Sequence, residues 1–139
     1  MRILGIDYGE ARVGIAISDA LNITAQGLET IQRNNSDKVV LRRLDEIFEE
    51  YEVDTIIVGM PLNMNGTISE RAKITQQFIH KLKCKYNKMK IDTIDERLTT
   101  VEAHKTMNFL DVNKNKKKNI VDTISAVYIL ETYLKSVDL

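Results

Sequence analysis

The 139-residue chain has one cysteine, one proline, no tryptophan and no excess charge of either sign, and each shortage excludes something. A lone Cys84 cannot close an internal disulfide and has no second cysteine at zinc-ligand spacing, so the chain is expected in a reducing compartment. One proline and six glycines, without a biased stretch, exclude collagen-like, proline-rich and low-complexity architectures. No run approaches the roughly 18 apolar residues of a membrane helix, and Asp7 interrupts the first apolar stretch too early for a signal peptide. The expectation is a soluble, cytoplasmic protein with no membrane partner. Twenty basic residues balance twenty acidic ones, so no global positive field draws the chain to a polyanion. Any site for one must be a local patch.

What is present reads as one α/β domain spanning 1–139, a length within the usual range of about 100–200 residues per domain. Ile3–Asp7 and Val13–Ser18 read as strands, joined closely enough through Tyr8–Arg12 to be antiparallel neighbours. A third, weaker strand falls within Ile23–Gln32. Val40, Leu44, Ile47, Phe48 and Tyr51 recur at helical spacing after a candidate N-cap at Ser36. Thr55–Val58, a continuous β-branched run ending at Gly59, suits a parallel strand buried on both faces. A second helix is expected over roughly Ser69–Tyr86 and a fifth strand over Lys90–Glu96. Thr99 and Glu102 fit a capping box opening a third helix to about Leu110, followed by a polar linker at Asn113–Lys118 and a last helix over Ile120–Lys135. The order predicts a mixed five-stranded sheet, a three-strand antiparallel meander plus two parallel strands, flanked by helices.

Three carboxylates stand where this topology can gather them. Asp7 and Glu96 lie at strand carboxyl ends, the side on which open α/β sheets place their crevices. Asp7 shares a strand face with Ile3 and Gly5, and Glu96 shares one with Ile94. Asp122 is expected to open the last helix, where the small Ser125 and Ala126 permit a close approach to the sheet. Carboxylates brought together raise one another's pKa unless a cation neutralises them, and all-oxygen donors point to Mg²⁺ or Mn²⁺ rather than zinc.

Four segments, Asp7–Gly14, Gly59–Gly66, Asp95–Thr100 and Asp122–Ala126, resemble in order and spacing the motifs of the YqgF family, and the match covers almost the whole chain. Its members are also called pre-16S rRNA nucleases or Holliday junction resolvases. The resemblance implies an RNase H-like fold and a catalytic, metal-binding triad of Asp7, Glu96 and Asp122. It implies two Mg²⁺ or Mn²⁺ ions, with Asp7 bridging and Glu96 and Asp122 each completing one shell. Cleavage would leave a 5′-phosphate. Ser125 stands where alanine is common, Met60 where leucine is common, and Asn119 interrupts a basic run that is often longer; none of these removes a carboxylate.

Substrate contacts are expected from Arg12, Asn63, Asn65, Arg97, Lys117 and Lys118, with plainer roles open for most. Arg12 can meet a phosphate or a carboxylate, Asn63 and Asn65 can cap turns, and Arg97 can pair with Glu96. Lysines 81, 83, 85, 88 and 90 read as a solvated face, and His80, His104 and Cys84 have no partner at a recognisable spacing. The leading expectation is a nuclease maturing the 5′ end of pre-16S rRNA. A resolvase of four-way DNA and a non-catalytic RNA-binding assembly factor are the alternatives. The actin and sugar-kinase ATPases share an Asp-x-Gly hairpin but need two such domains. The oligomeric state, monomer or homodimer, is open.

Overall fold

The structure, a computed structural model, describes residues 1–98 and 114–137, with side chains for 1–97 and 122–137. Strands β1 (Arg2–Tyr8), β2 (Arg12–Ser18) and β3 (Ala25–Gln32) form the meander. Helix α1 (Asp37–Glu50), β4 (Val53–Met60), α2 (Glu70–Lys85) and β5 (Lys90–Asp95) supply two crossovers; a 3₁₀ turn, Glu96–Leu98, follows β5, and α3 (Lys114–Val137) is the last element. The sheet runs β3-β2-β1-β4-β5, with β1 at its centre. β1 is antiparallel to β2 and parallel to β4, and β4 is parallel to β5.

The alternation of β1 decides what lies on each side. Leu4, Ile6 and Tyr8 point to one face, where they join Leu44 and Ile47 of α1 and Phe78 and Leu82 of α2 in the larger core. Each fully buried aliphatic side chain there contributes about 1.5–3 kcal/mol. Ile3 points to the other face, packed with Ala126, Ile129, Leu130 and Leu134 of α3. The result is helix, sheet, helix in three layers, and Asp7 belongs to the α3 side.

Both crossover helices begin at a serine cap. The Ser36 side chain accepts from the Lys38 amide at 3.2 Å, and that of Ser69 accepts from the Ala72 amide at 3.0 Å. Ser69 Oγ also donates to the Pro61 carbonyl at 2.7 Å, tying the loop after β4 to the start of α2. Two of the lysines expected on a solvated face have work to do: Lys81 and Lys85 reach Asp37 and Asp45 of α1, each at 2.7 Å.

α3 lies on the sheet more closely than ordinary side chains allow, because the strands beneath it carry glycine. A Cβ on Gly5, Gly14, Gly27 or Gly59 would fall 2.9 Å from Leu130 Cβ, 2.0 Å from the Asp122 carbonyl oxygen, 2.5 Å from Thr123 Cγ2 and 2.4 Å from Ile129 Cδ1, respectively. At Gly5 and Gly14 the obstacles include helix backbone, so glycine is needed there for space; at Gly27 and Gly59 the nearest obstacle is a side-chain methyl.

One expectation is corrected. The polar linker at Asn113–Lys118 is helical from Lys114, so α3 begins about six residues before the expected Ile120. The stretch is polar yet holds no glycine or proline, and lysine is nearly as good a helix former as leucine. Asp122 therefore sits two turns inside the helix, beyond the reach of the N-terminal dipole. The expected helix from Thr99 to Leu110 lies outside the described residues. No helix among the described residues is long and apolar enough to cross a membrane.

Candidate active site

Asp7 and Glu96 come from strands that are not neighbours, since β4 lies between β1 and β5. Gly59 of β4 makes their meeting possible. A Cβ there would stand 3.2 Å from both Cγ and Cδ of Glu96, so the missing side chain is the space through which the glutamate crosses β4. Glu96 thereby comes close enough to Asp7 to raise its pKa. Both side chains are buried, at 9% and 7% residual exposure, where a lone carboxylate would be costly.

The electrostatics of Asp7 reflect this closeness. Burial pushes its pKa well above the usual carboxylate range, the neighbouring Glu96 side chain and its charge raise it further, and Arg71 opposes them.

Asp122 arrives from the other layer. Gly14 is the direct cross-strand partner of Asp7, and the Asp122 carbonyl rests where a Gly14 side chain would be. The Asp122 carboxylate accepts from Arg12 Nε at 2.8 Å. Its pKa is raised by burial, with the Arg12 hydrogen bond opposing and the Asp7 charge adding to the rise. Asp7, Glu96 and Asp122 thus occupy one neighbourhood, as two facing carboxyls with a third alongside. Among the described residues no three carboxylate, histidine or cysteine side chains are gathered as a cluster that could hold a metal ion. The chemistry of the donors is nonetheless that of a hard divalent-cation site: all are carboxylate oxygens, with Asp7 and Glu96 buried and Asp122 partly exposed.

The other expected site residues divide. Arg12 meets a carboxylate, that of Asp122. Arg97 turns away from Glu96 and forks onto Asp95, with Nε at 2.8 Å from Oδ2, while its Nη1 donates to the Met64 carbonyl at 3.2 Å. That pins the loop after β4 against the end of β5. Within the loop Asn63 Nδ2 donates to Thr67 Oγ1 at 3.0 Å, and Asn65 Oδ1 accepts from the Thr67 amide at 3.1 Å. Both asparagines therefore cap the turn that Gly66 completes at φ +84°. Lys117 and Lys118 fall on the first turns of α3, and their side chains lie outside the described residues. Cys84 Sγ lies 3.6 Å from His80 Nε2, one helical turn away on α2 and remote from the acids in the chain. Arg71, whose charge bears on both Asp7 and Asp122, was missed by the sequence reading. The available signal was its place in the first turn of the helix that follows the loop after β4.

The central strand ending in a buried acid, the meander on one side and two crossovers on the other define an RNase H-like protein. Two solved structures share this fold: Thermus thermophilus RuvC in complex with a Holliday junction substrate, at TM-score 0.57 and 11% identity, covering 99% of this chain and 96% of that one; and the fowlpox virus Holliday junction resolvase, at TM-score 0.60 and 16% identity, covering 99% and 100%. The chain belongs to the RuvX family, described as Holliday junction resolvase, whose model matches residues 1–136. It is 54% identical over 134 residues to a protein of Ruminiclostridium cellulolyticum, covering 96% of this chain and 94% of that protein. It is 52% identical over 136 residues to one of Acetivibrio thermocellus, covering 98% and 96%. Both relatives carry the name "Putative pre-16S rRNA nuclease".

Proposed function

We propose that this chain is a nuclease dependent on Mg²⁺ or Mn²⁺ that hydrolyses phosphodiester bonds, acting in the cytoplasm on the 5′ region of pre-16S rRNA. The observation that carries the reading is the buried Asp7–Glu96 pair, brought together across Gly59 with Asp122 alongside. The names of the relatives at 54% and 52% identity support the substrate.

Asp7, Glu96 and Asp122 would hold the cations. Bound there, divalent ions lower the pKa of water and stabilise charge on a leaving oxygen. Arg12 orients the Asp122 carboxylate, fixing one donor before the substrate arrives. Burial excludes bulk water from the Asp7–Glu96 pair, so cations bound there would meet carboxylate oxygens in place of solvent. In the reaction a water oxygen attacks phosphorus in line and the opposite P–O ester bond breaks. The strand is left with a 5′-phosphate on one fragment and a 3′-hydroxyl on the other. Lys117 and Lys118 would contact flanking phosphates; Arg97, Asn63 and Asn65 would shape the loop that borders them.

The test is a pre-rRNA fragment incubated with wild type and with Asp7→Asn in Mg²⁺, in Mn²⁺ and in chelator. Cleavage only by the metal-supplied wild type is expected. Equal cleavage by both proteins would end the proposal.

The family description favours a second reading, resolution of four-way DNA. Resolution cuts two strands symmetrically and so requires a dimer. A four-way junction assayed in parallel, with the mass in solution, separates the two. RNA binding that survives loss of all three acids, without cleavage of either substrate, would instead indicate a non-catalytic assembly factor.

A further inference from the structure

The turn between β2 and β3 holds two aliphatic side chains out in solvent, Leu21 at 77% exposure and Ile23 at 70%. On a loose loop that would mean little, but this turn is fixed. The Asp19 carboxylate accepts from the Ile23 and Thr24 amides at 2.7 and 2.8 Å, and the Asp19 amide donates to the Thr24 carbonyl at 3.1 Å. The Asn22 side chain accepts from the buried Ser18 hydroxyl at 2.6 Å and donates to the Met1 carbonyl at 3.0 Å. These bonds keep Leu21 and Ile23 on the outside as a preformed ridge.

Beside the ridge runs a groove of about 650 Å³. Ile3 and Leu134, both buried, line it from beneath, and Val137, 48% exposed, extends its aliphatic wall. Glu131 and Lys135, one turn apart on α3, line the same groove. Among the described residues neither of these two side chains has an ion-pair or hydrogen-bond partner, whereas Lys81 and Lys85 are each matched by an aspartate. An aliphatic ridge beside an aliphatic groove, with one free acid and one free base, is complementary to itself. A two-fold contact places each ridge in the facing groove and sets Glu131 of each copy opposite Lys135 of the other, because every pair in such an interface occurs twice. A polyanion finds no such match, since the two charges cancel.

We propose that this face joins two copies of the chain in a symmetric homodimer, with Leu21 and Ile23 of each copy seated against Ile3, Leu134 and Val137 of the other. The groove reaches the last turn of α3, about 22 Å along the helix from Asp122 at about 1.5 Å per residue, so both groups of acids stay uncovered. The inference is therefore independent of the nuclease reading. The residues named are fewer than the roughly 20–30 a side of a standard interface, so association is weak, with a Kd on the order of 10–100 µM.

The experiment is sedimentation equilibrium of the full chain over concentrations spanning that Kd, for wild type, Ile23→Lys, Glu131→Lys, Lys135→Glu and an equal mixture of the last two. Wild type should pass from monomer to dimer as concentration rises. Ile23→Lys should stay monomeric with the melting temperature of dilute wild type, because its side chain is already exposed in the monomer. Each charge reversal sets like charges opposite one another twice and should weaken self-association at least about tenfold. The mixture should regain the dimer, because one variant then brings two cations to the two acids of the other. That rescue is specific to a two-fold contact through this face, and it decides the matter even if Ile23→Lys lowers the melting temperature. A wild type that is monomeric at millimolar concentration would overturn the proposal and leave the groove to a partner of another sequence. A dimer untouched by Ile23→Lys, or a mixture of the reversed variants that fails to associate, would overturn it equally.

Discussion

Gly14→Ala is the substitution that most directly tests how the site is assembled. A Cβ at this position would stand 2.0 Å from the Asp122 carbonyl oxygen, 2.5 Å from its carbon and 3.1 Å from the Thr123 nitrogen. All three obstacles are backbone, so no side-chain rotation relieves the clash. Ordinary carbon contacts are about 3.5 Å, which requires α3 and β2 to separate by more than about 1 Å. Overpacking of this kind costs about 1–3 kcal/mol, and a rigid obstacle places it at the upper end. The stiffer unfolded chain returns about 0.4–1 kcal/mol, leaving a net loss of about 2 kcal/mol. For a chain of this size the melting temperature should fall by about 4–8 °C. The movement carries Asp122 away from Asp7, and a displacement of about 1 Å at reacting groups can cost about 10²-fold in rate. Gly27→Ala is the matched control: its obstacle is the Thr123 methyl at 2.5 Å, which Thr123→Ser removes. The double variant Gly27→Ala with Thr123→Ser should regain stability. Gly14→Ala should have no such rescue. A Gly14→Ala protein that melts and cleaves like wild type would refute the close approach of α3 as the device that positions Asp122.

Two further perturbations follow from the electrostatics. The folded-state pKa of Asp7 lies above its unfolded value, so this residue's contribution to stability is full below the unfolded pKa and is lost as pH rises through the folded one. Asp7→Asn should therefore melt higher than wild type in chelator at pH 7, with the gap closing toward pH 4. Saturating Mn²⁺ should raise wild type alone, by about 2.7 kcal/mol at a hundredfold excess over its Kd; a variant less stable than wild type in chelator would contradict the sign. Asp37 runs the other way. Burial raises its pKa, but hydrogen bonds from Lys81, Tyr8 and Arg33 outweigh that and hold it below the ordinary aspartate value. Its stabilisation is present above that value and is lost as pH falls through the folded one. Asp37→Ala should cost about 2–3 kcal/mol in urea unfolding at pH 7 and less in acid; an equal loss at both pH values would point to packing as the cause.

The fold was legible where local pattern and tertiary demand agree. The alternation of β1, the β-branched run of β4 and the serines before α1 and α2 each specify their element without help from distant residues. The chain's polarity misled at 114–118, because a solvated stretch free of glycine and proline is as compatible with helix as with loop. Glu96 and Arg97 show a different limit. Adjacent opposite charges suggest a pair, yet the turn after β5 sends Glu96 inward to Asp7 and Arg97 back to Asp95. Side-chain direction at a strand end depends on the turn that follows, and periodicity says nothing about that. The roles of Gly59 and Gly14 were hidden for the same reason, since what each makes room for comes from another element.

A net charge of zero excludes only long-range attraction, and the structure shows why that leaves a nucleic-acid site open. Arg33, Arg43, Arg97, Lys81 and Lys85 are matched by carboxylates within the fold, which takes them and an equal share of acids out of the balance a ligand meets. At the candidate site Asp7, Glu96 and Asp122 face Arg12 and Arg71, whose charges oppose the rise in the pKa of Asp122 and, for Arg71, of Asp7. The metal-free site therefore offers a polyanion little net attraction, and bound divalent ions would supply it. Affinity for substrate should follow occupancy by Mn²⁺ more steeply than it follows monovalent salt, because few phosphates are contacted directly. Tight, strongly salt-dependent binding in chelator would place the nucleic acid on another surface.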